Sequence, residues 1–336
     1  MTATRRPVVA LATGDPNGIG PEIAVKAAVT LAAGNGPVPL IVGDPAVLRP
    51  WLDRLAAGLA VVETDGTRIS PTPAIHVFPI EALPRHARRP GTVCAEAGTA
   101  TVAYIEAGLR LCHDGRAQAL VGCPHSETAI NAAGIPFSGY PSLLARLTGR
   151  PEDRVFLMLI GDRLRIIHAT LHERLQDALA RLSPALVEAT ALAADAALRR
   201  LGIARPRLGV FGINPHAGEG GLFGDDDQRI TEPAVRRLLA GGLRVEGPLG
   251  ADLMLGRTDI DAFVAMYHDQ GHIPIKLLAG RTAVALTVGA DTLFASTGHG
   301  SAHDIAGRGI AEPDAVLRAL ALMQNLTAPA AQQAAS

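Results

Sequence analysis

Short apolar runs alternate along the chain with longer stretches in which apolar residues recur at helical spacing. Nine short runs predict buried strands, at residues 7–13, 39–43, 74–78, 119–122, 155–160, 165–170, 207–211, 262–266 and 283–287. Five longer stretches predict helices, at residues 20–33, 92–112, 184–201, 232–240 and 313–323. This alternation is typical of an α/β architecture, in which helices pack on both faces of a sheet.

Composition and charge narrow the class of protein. With 336 residues, of which 48% are hydrophobic, the chain is long for a single core, and we expect a globular protein of two domains. The formal net charge is −1 and its signs are interspersed, which argues against nucleic acid or an anionic membrane as a partner. No apolar run is long enough to span a membrane. Three cysteines without metal or redox spacing favour a cytoplasmic protein.

A glycine-rich turn, GDPNGIGPEI, follows the first predicted strand at residues 14–23. Pro21 suits the first position of a helix, and Glu22 complements the positive end of the helix dipole. The turn therefore leads from a strand into a helix at the edge of the sheet where α/β proteins bind ligands. Its glycine spacing differs from that of the Rossmann fingerprint.

A second glycine-rich stretch, HGSAHDIAGRG, lies near the C-terminus at residues 299–309. Its small residues allow the backbone to approach a flat ligand, and His299 and Asp304 supply polar groups for ribose or adenine edges. Taken alone, the stretch is also typical of a glycine-rich surface turn.

Together, the two stretches resemble the GDGIGPE turn and the HGSAxDIAG loop of isopropylmalate and isocitrate dehydrogenases, in the same order. This resemblance implies that the loop binds NAD, with the turn facing it across a cleft. The residues that it implies for the cofactor are Gly14, Asp15, Gly18, His299, Gly300, Ser301, Ala302, Asp304 and Ile305.

Three histidines each follow a predicted strand: His172, His216 and His268. Three imidazoles at one sheet edge, with an open fourth position, describe a catalytic Zn²⁺ site. The alternative is that each histidine is structural or merely exposed. His168 and His172 have the four-residue spacing of a metalloprotease helix, but the glutamate of HExxH is missing and the segment is predicted as a strand.

The stretches GDPNGIGPEI, SETAIN, AGIPFSG, NPHAGEGG, YHDQG and HGSAHDIAG together resemble the 4-hydroxythreonine-4-phosphate dehydrogenase family, over residues 8–322. The resemblance implies a homodimer with the active site near the interface, NAD as cofactor, and a divalent metal, Zn²⁺ by ligand type, on His172, His216 and His268. It implies an isocitrate/isopropylmalate dehydrogenase-like two-domain α/β/α sandwich with a cleft between the domains. Residues 1–128 plus 280–336 would carry the nucleotide loop, and 129–279 the metal ligands and dimer contacts.

The substrate site departs from the family pattern. The family's lysine matches Lys276, but three other parts of its phosphate site are replaced. Its His-Thr pair corresponds to Tyr140 and Pro141, its asparagine to Ala285 and its arginine to Phe294. Replacement of the family's arginine by Phe294 exchanges a guanidinium, which binds anions through two hydrogen bonds, for an apolar phenyl ring. The pattern is similar to the branch of the family that acts on the cis-dihydrodiol of terephthalate, where NAD-linked oxidative decarboxylation yields protocatechuate. The alternative is the vitamin B6 reaction on 4-phosphohydroxythreonine, or that of a related 4-phosphosugar-acid dehydrogenase.

For either substrate, we expect Lys276 to clamp a carboxylate or carry a proton, with Asp252 and Asp269 as supporting or acid–base groups. The alternative for Lys276 is a surface charge on an apolar strand. Two other classes of protein remain open at this point. A zinc hydrolase would use the three histidines and ignore NAD⁺, whereas a non-catalytic nucleotide sensor would bind the nucleotide without the metal.

Overall fold

A computed structural model describes residues 6–69 and 73–327 of the chain. The chain divides into two compact units: the first comprises Met1–Leu143 and Asp291–Leu326, and the second Leu144–Ala290 and Thr327–Ser336. The boundaries predicted from sequence, after residues 128 and 279, lie earlier. The helix that follows residue 126 packs in the first unit, and the strand that begins at Val284 pairs in the second.

The described residues contain twelve strands and twelve α-helices. The strands are β1 Val8–Ala12, β2 Val38–Gly43, β3 Ala60–Glu63, β4 Ala74–Pro79, β5 Ala119–Gly122, β6 Phe156–Gly161, β7 Leu164–His168, β8 Arg207–Phe211, β9 Arg244–Leu249, β10 Ala262–Ala265, β11 Val284–Val288 and β12 Phe294–Thr297. The helices are α1 Gly20–Ala32, α2 Pro45–Leu55, α3 Ala95–His113, α4 Glu127–Ala132, α5 Tyr140–Thr148, α6 Leu175–Arg181, α7 Pro184–Arg200, α8 Asp226–Arg229, α9 Thr231–Ala240, α10 Ala251–Met254, α11 His268–Ala279 and α12 Asp314–Leu322.

In the first unit, the strands form a parallel sheet in the order β3-β4-β2-β1-β5-β12. Every residue of β1 and β5 is buried, as expected for strands covered on both faces. Because parallel strands end at the same edge, the turn after β1 and the segment after β5 are neighbours. The amide of Asp15 accordingly donates to the carbonyl oxygen of Pro124 at 2.9 Å.

In the second unit, the sheet is mixed. β11 and β7 flank β6 in antiparallel pairs, and β7, β10, β8 and β9 follow in parallel. The core of this unit is formed by side chains such as Ile166, Phe211 and Phe263. The two-domain α/β architecture predicted from sequence is therefore confirmed. No helix in the described part of the chain has the length and apolarity needed to cross a membrane.

Candidate active site

The glycine-rich turn after β1 lies directly against the C-terminal loop of residues 299–309, within the first unit. The amide of Ile19 donates to the carbonyl oxygen of Ser301 at 2.9 Å. A Cβ added at Gly18 would lie 2.6 Å from the Cβ of Ser301, so only glycine permits this approach. The sequence predicted that the turn and the loop face each other across a cleft. In the structure, the two segments are instead hydrogen-bonded neighbours.

Two oppositely charged side chains of α1 hold the far end of this loop. The carboxylate of Glu22 is fully buried and accepts from Lys26 Nζ at 2.7 Å and from the amides of Gly309 and Ala311 at 3.2 and 2.8 Å. Lys26 Nζ donates to the carbonyl oxygens of the same two residues at 3.1 and 2.7 Å. Burial of such a charge is tolerated because it is fully paired. Glu22 thus fixes the loop, beyond its expected role at the helix dipole.

Asp15 is buried and joins the same network. Its Oδ1 accepts from the amide of Asn17 at 2.9 Å, and its Oδ2 lies 3.1 Å from Nε2 of His303. Burial raises the pKa of the Asp15 carboxyl, and the nearby His303 opposes that shift. Asp15 has no exposed surface and holds the loop of residues 299–309 through His303, and its contact with the cofactor stays a prediction.

The other loop residues predicted to bind the cofactor differ in their exposure to solvent. Gly300 and Asp304 are exposed, His299, Ala302 and Ile305 are half-buried, and Ser301 is buried. A cavity of about 330 Å³ opens beside the loop, bordered by Gly18 and Gly307. Trp51 gives this cavity an aromatic face, and Arg54 and Arg88 give it guanidinium groups, a combination that suits a base and its phosphates.

An aromatic cluster of His125, Phe137, Tyr140 and Phe294 occupies the predicted substrate position of the first unit. Tyr140 lies at ring-centroid distances of 4.4 Å from Phe294, 4.5 Å from His125 and 5.4 Å from Phe137. Phe294 is fully buried, with its ring beside Gly122, so it supports Tyr140 from beneath. The structure buries the whole ring of Phe294, and a direct contact of this residue with substrate stays a prediction.

Two further substrate-site predictions fall on uncharged, half-buried positions. Pro141 is the second residue of α5. Ala285 lies in β11 opposite Leu159 and packs against the core of the second unit. Neither residue offers a phosphate a charged or polar side-chain partner.

In the second unit, four histidines form a cluster: His168 at the end of β7, His172 in the turn beyond it, and His268 and His272 on the first turns of α11. The rings of His268 and His272 are stacked at 3.6 Å, and those of His172 and His268 lie 5.5 Å apart. β7 ends two residues earlier than the predicted strand, which leaves His172 in a turn. α11 was not predicted at all, so the four-residue spacing of His268 and His272 went unused.

The hydrogen bonds of this cluster define its protonation. The carbonyl oxygen of Leu157 can only accept, so Nδ1 of His168 donates to it at 3.1 Å. Nε2 of His168 then accepts from Nδ1–H of His272, also at 3.1 Å. Burial, followed by the neighbouring histidine, lowers the pKa of His168 to about 3 and that of His272 to about 4. Both imidazoles are therefore neutral, and His272 keeps a lone pair on Nε2.

His216 lies in a strained loop of the second unit. Six consecutive residues, from His216 to Gly221, have positive φ, a conformation that non-glycine residues rarely adopt. The buried carboxylate of Asp227 holds the start of the loop by accepting from the amides of Ile213 and Asn214 at 2.8 and 3.0 Å. The exposed ring of His216 pairs with Glu219, 3.0 Å away.

The three predicted metal ligands thus do not converge within the described part of the chain. His172 and His268 share the histidine cluster, whereas His216 contacts Glu219. Among residues 6–69 and 73–327, no group of three or more His, Cys, Asp or Glu side chains has an arrangement that could hold a metal ion. The assignment of a metal to His172, His216 and His268 stays a prediction.

The residues predicted for acid–base and carboxylate roles lie near the histidines. Asp269 accepts a hydrogen bond from Nδ1 of His268 at 2.7 Å, so Asp269 engages Nδ1 and not the second ring nitrogen, Nε2. Lys276 is exposed on α11, eight residues beyond His268 and four beyond His272, so the three share one helix face. It therefore lies on a helix rather than on an apolar strand. Asp252 is exposed on α10 with its carboxylate beside Gly250.

A cavity of about 590 Å³ opens beside this cluster in the second unit, and His172, His268 and Asp269 line it. Sequence reasoning missed His272 and passed over His168 as a site residue. The signal that would have found them is the pair of four-residue spacings, 168–172 and 268–272, once the second is placed on a helix.

Comparison with known proteins places this arrangement in a family. The family model for the pyridoxal phosphate biosynthetic protein PdxA matches residues 36–323. A 1,2-dihydroxy-3,5-cyclohexadiene-1,4-dicarboxylate dehydrogenase from a Comamonas species is 48% identical over 328 residues, covering 96% of this chain and 98% of that protein. The chain belongs to the PdxA family, as its motifs predicted, and is an oxidoreductase of the dehydrogenase type.

Two solved structures extend the comparison. A terephthalate 1,2-cis-dihydrodiol dehydrogenase from Burkholderia xenovorans LB400 is 51% identical with a TM-score of 0.77, covering 96% of this chain and 100% of that one. A 4-hydroxythreonine-4-phosphate dehydrogenase from Burkholderia phymatum is 36% identical with a TM-score of 0.85, at the same coverage. The backbone is thus shared by relatives named for two different substrates, and the choice between them depends on side chains.

Proposed function

We propose that this dehydrogenase catalyses the NAD-linked oxidative decarboxylation of the cis-dihydrodiol of terephthalate to protocatechuate. The observation that carries the proposal is the aromatic cluster at the position where the vitamin B6 enzymes hold phosphate. Tyr140, Phe137 and Phe294 carry no charge, and burial lowers the pKa of His125 to about 4, so its ring is neutral as well. These largely buried rings give a phosphate dianion no cationic partner, and the uncharged aromatic environment that they create suits a flat carbocycle better.

The proposed reaction consists of one oxidation followed by the cleavage of one carbon–carbon bond. NAD⁺, when bound, supplies the hydride acceptor for the alcohol carbon. The oxidation releases the hydroxyl proton and gives a ketone that is β to a carboxylate. Loss of CO₂ then breaks the carbon–carbon bond and leaves its electron pair as the phenolate of the restored aromatic ring, which takes up one proton, so that no net proton is released. Lys276, which is exposed on the same helix face as His268 and His272, would pair with a substrate carboxylate. The neutral imidazole of His272 offers Nε2 as a proton acceptor.

The runner-up is a dehydrogenase of a phosphorylated hydroxy acid. Lys276 keeps the family's lysine, and a D-threonate 4-phosphate dehydrogenase from Cupriavidus necator is 40% identical, covering 94% of this chain and 95% of that protein. The two proposals are separated by measuring NADH formation and CO₂ release with terephthalate dihydrodiol and with 4-phosphohydroxythreonine.

The cofactor assignment gives a test at Gly18. In a Gly18→Ala variant, the new Cβ would lie 2.6 Å from Ser301, so the loop must shift and we expect the KM for NAD⁺ to rise about tenfold or more, with a much smaller change in the KM for substrate. Gly34→Ala is the matched control, because a Cβ there meets only ordinary contacts of 3.8 Å and beyond. Equal effects on both KM values in Gly18→Ala would count against the assignment.

We further propose that the enzyme is a homodimer whose contact includes α11. This helix exposes Ile273, Leu277 and Leu278, at 54%, 80% and 55% of their surfaces, although large apolar side chains rarely cluster on a free surface. The same helix begins at His268, so a partner packed here would lie near the histidine cluster.

A Leu277→Asp variant is expected to sediment as a monomer and to lose most of its activity, because a carboxylate in an apolar contact is not solvated. Leu239→Asp, at an exposed leucine of α9, is the control and should leave the assembly unchanged. If the unmodified protein itself sediments as a monomer, the dimer proposal is wrong.

A further inference from the structure

His125 lies at the point where the nucleotide loop and the aromatic cluster meet in the first unit. It follows β5, at the edge of a parallel sheet where ligands bind. The carbonyl oxygen of the preceding Pro124 accepts from the amide of Asp15, and a Cβ added at Gly300 would lie 3.9 Å from the carbonyl oxygen of His125. On its other side, the ring packs edge-on against Phe137 and Tyr140, at centroid distances of 5.0 and 4.5 Å.

The ring has an unused polar atom. Nε2 of His125 is buried, and within the described part of the chain no group forms a hydrogen bond with it. A buried nitrogen left in this way costs free energy, and such groups call for an explanation. Because His125 lies between the loop at Gly300, which its carbonyl oxygen approaches, and the aromatic rings that its own ring contacts, a bound ligand is the partner that would satisfy this nitrogen.

The chemistry of the ring selects the kind of ligand group. Burial lowers the pKa of His125 to about 4, so the imidazole is neutral near pH 7 and Nε2 either donates or accepts, depending on the tautomer. A hydroxyl group both donates and accepts, and it therefore satisfies either tautomer. A neutral ring forms no ion pair with a phosphate dianion, and it can offer such a group at most one N–H donor.

We propose that Nε2 of His125 binds a hydroxyl group of the substrate and holds the diol edge between the nucleotide loop and the aromatic cluster. His125 is then a specificity-determining residue of the proposed reaction, and this inference rests on the proposed function. It separates hydroxylated ring acids from otherwise identical acids that lack the hydroxyl.

The test compares terephthalate with 2-hydroxyterephthalate, which differ by one hydroxyl group, as ligands of the NAD-loaded enzyme in calorimetric titrations. For the unmodified enzyme, we expect the hydroxylated acid to bind about five- to tenfold more tightly. In His125→Phe, which keeps an aromatic ring against Phe137 and Tyr140, that advantage is expected to vanish. In His125→Gln, whose amide also donates and accepts, part of it should return.

The matched control is His76→Phe in β4, which makes the same exchange at another buried histidine with an unpaired ring nitrogen. Its melting temperature should fall while the preference for the hydroxylated acid persists. A preference of the same size in His125→Phe overturns the inference and leaves the proposed function standing. If neither acid binds the unmodified enzyme, both the inference and the proposed function are wrong.

Discussion

With the cis-dihydrodiol of terephthalate, we expect kcat/KM at least about a hundredfold higher than with 4-phosphohydroxythreonine, under the same NAD⁺ and metal concentrations. The reason is the uncharged surface around Tyr140, where the phosphorylated substrate would lose charge-assisted hydrogen bonds worth about 1.5–3 kcal/mol each. The measurement is the initial rate of NADH formation, with CO₂ release as a second readout. Decarboxylation should match NADH formation mole for mole.

The side chains can be tested in the same assay. In a Tyr140→His, Pro141→Thr double variant, which restores the family's pair, we expect the ratio of the two kcat/KM values to move toward the phosphorylated substrate. If the unmodified enzyme turns over 4-phosphohydroxythreonine better than the dihydrodiol, the choice between the two branches is wrong, and the runner-up function stands.

The second large effect is expected at the predicted metal ligands. Alanine at His172, His216 or His268 should lower kcat/KM at least about a hundredfold, because a metal that polarises a reacting oxygen is worth several kcal/mol. Each variant should also lose bound metal, measured by elemental analysis of the purified protein. The melting temperature in the presence of chelator should change little, since no buried apolar contact is removed.

His113→Ala, at an exposed histidine that ends α3, is the control and should keep both its metal and its activity. Full activity of His216→Ala after chelator treatment would contradict the assignment of that residue. Because His216 lies apart from the other two ligands, His272→Ala is a useful companion. Loss of metal in His272→Ala but not in His216→Ala would identify His272, and not His216, as the third metal ligand.

Much of the fold was predictable because strands buried on both faces are continuous apolar runs. The nine predicted strands are all present, within two residues at each end. Three strands were missed. β3 and β9 carry charged residues and exposed positions, so their pattern is that of a loop. β12 is largely buried but has only four residues, two of them Ser and Thr, so it forms no apolar run. α11 was missed because a glycine and Pro274 interrupt it, and both residues normally disfavour a helix.

The site was predictable where backbone geometry dictates the residue type. It was less predictable where contacts between distant segments determine which side chains are buried or paired. The two glycine-rich stretches stood out by residue type alone, although the direct contact with Ser301 that Gly18 permits was not predicted. The burial of Asp15 and Phe294, by contrast, depends on neighbours that no local pattern reveals. The link between His168 and His272 likewise joins β7 to α11 across 104 positions of the chain.

The Glu22–Lys26 pair also bears on how the protein is made. The backbone groups that satisfy it, at Gly309 and Ala311, belong to a segment that leaves the ribosome only after the whole of residues 144–290. The strands around β1 can therefore form early in a nascent chain. The buried carboxylate of Glu22 and the ammonium of Lys26, however, gain their backbone partners only after translation has passed Ala311. The proposed NAD⁺ site includes this late segment, so we expect NAD⁺ to protect completed chains from proteolysis and to leave chains that end before it unprotected.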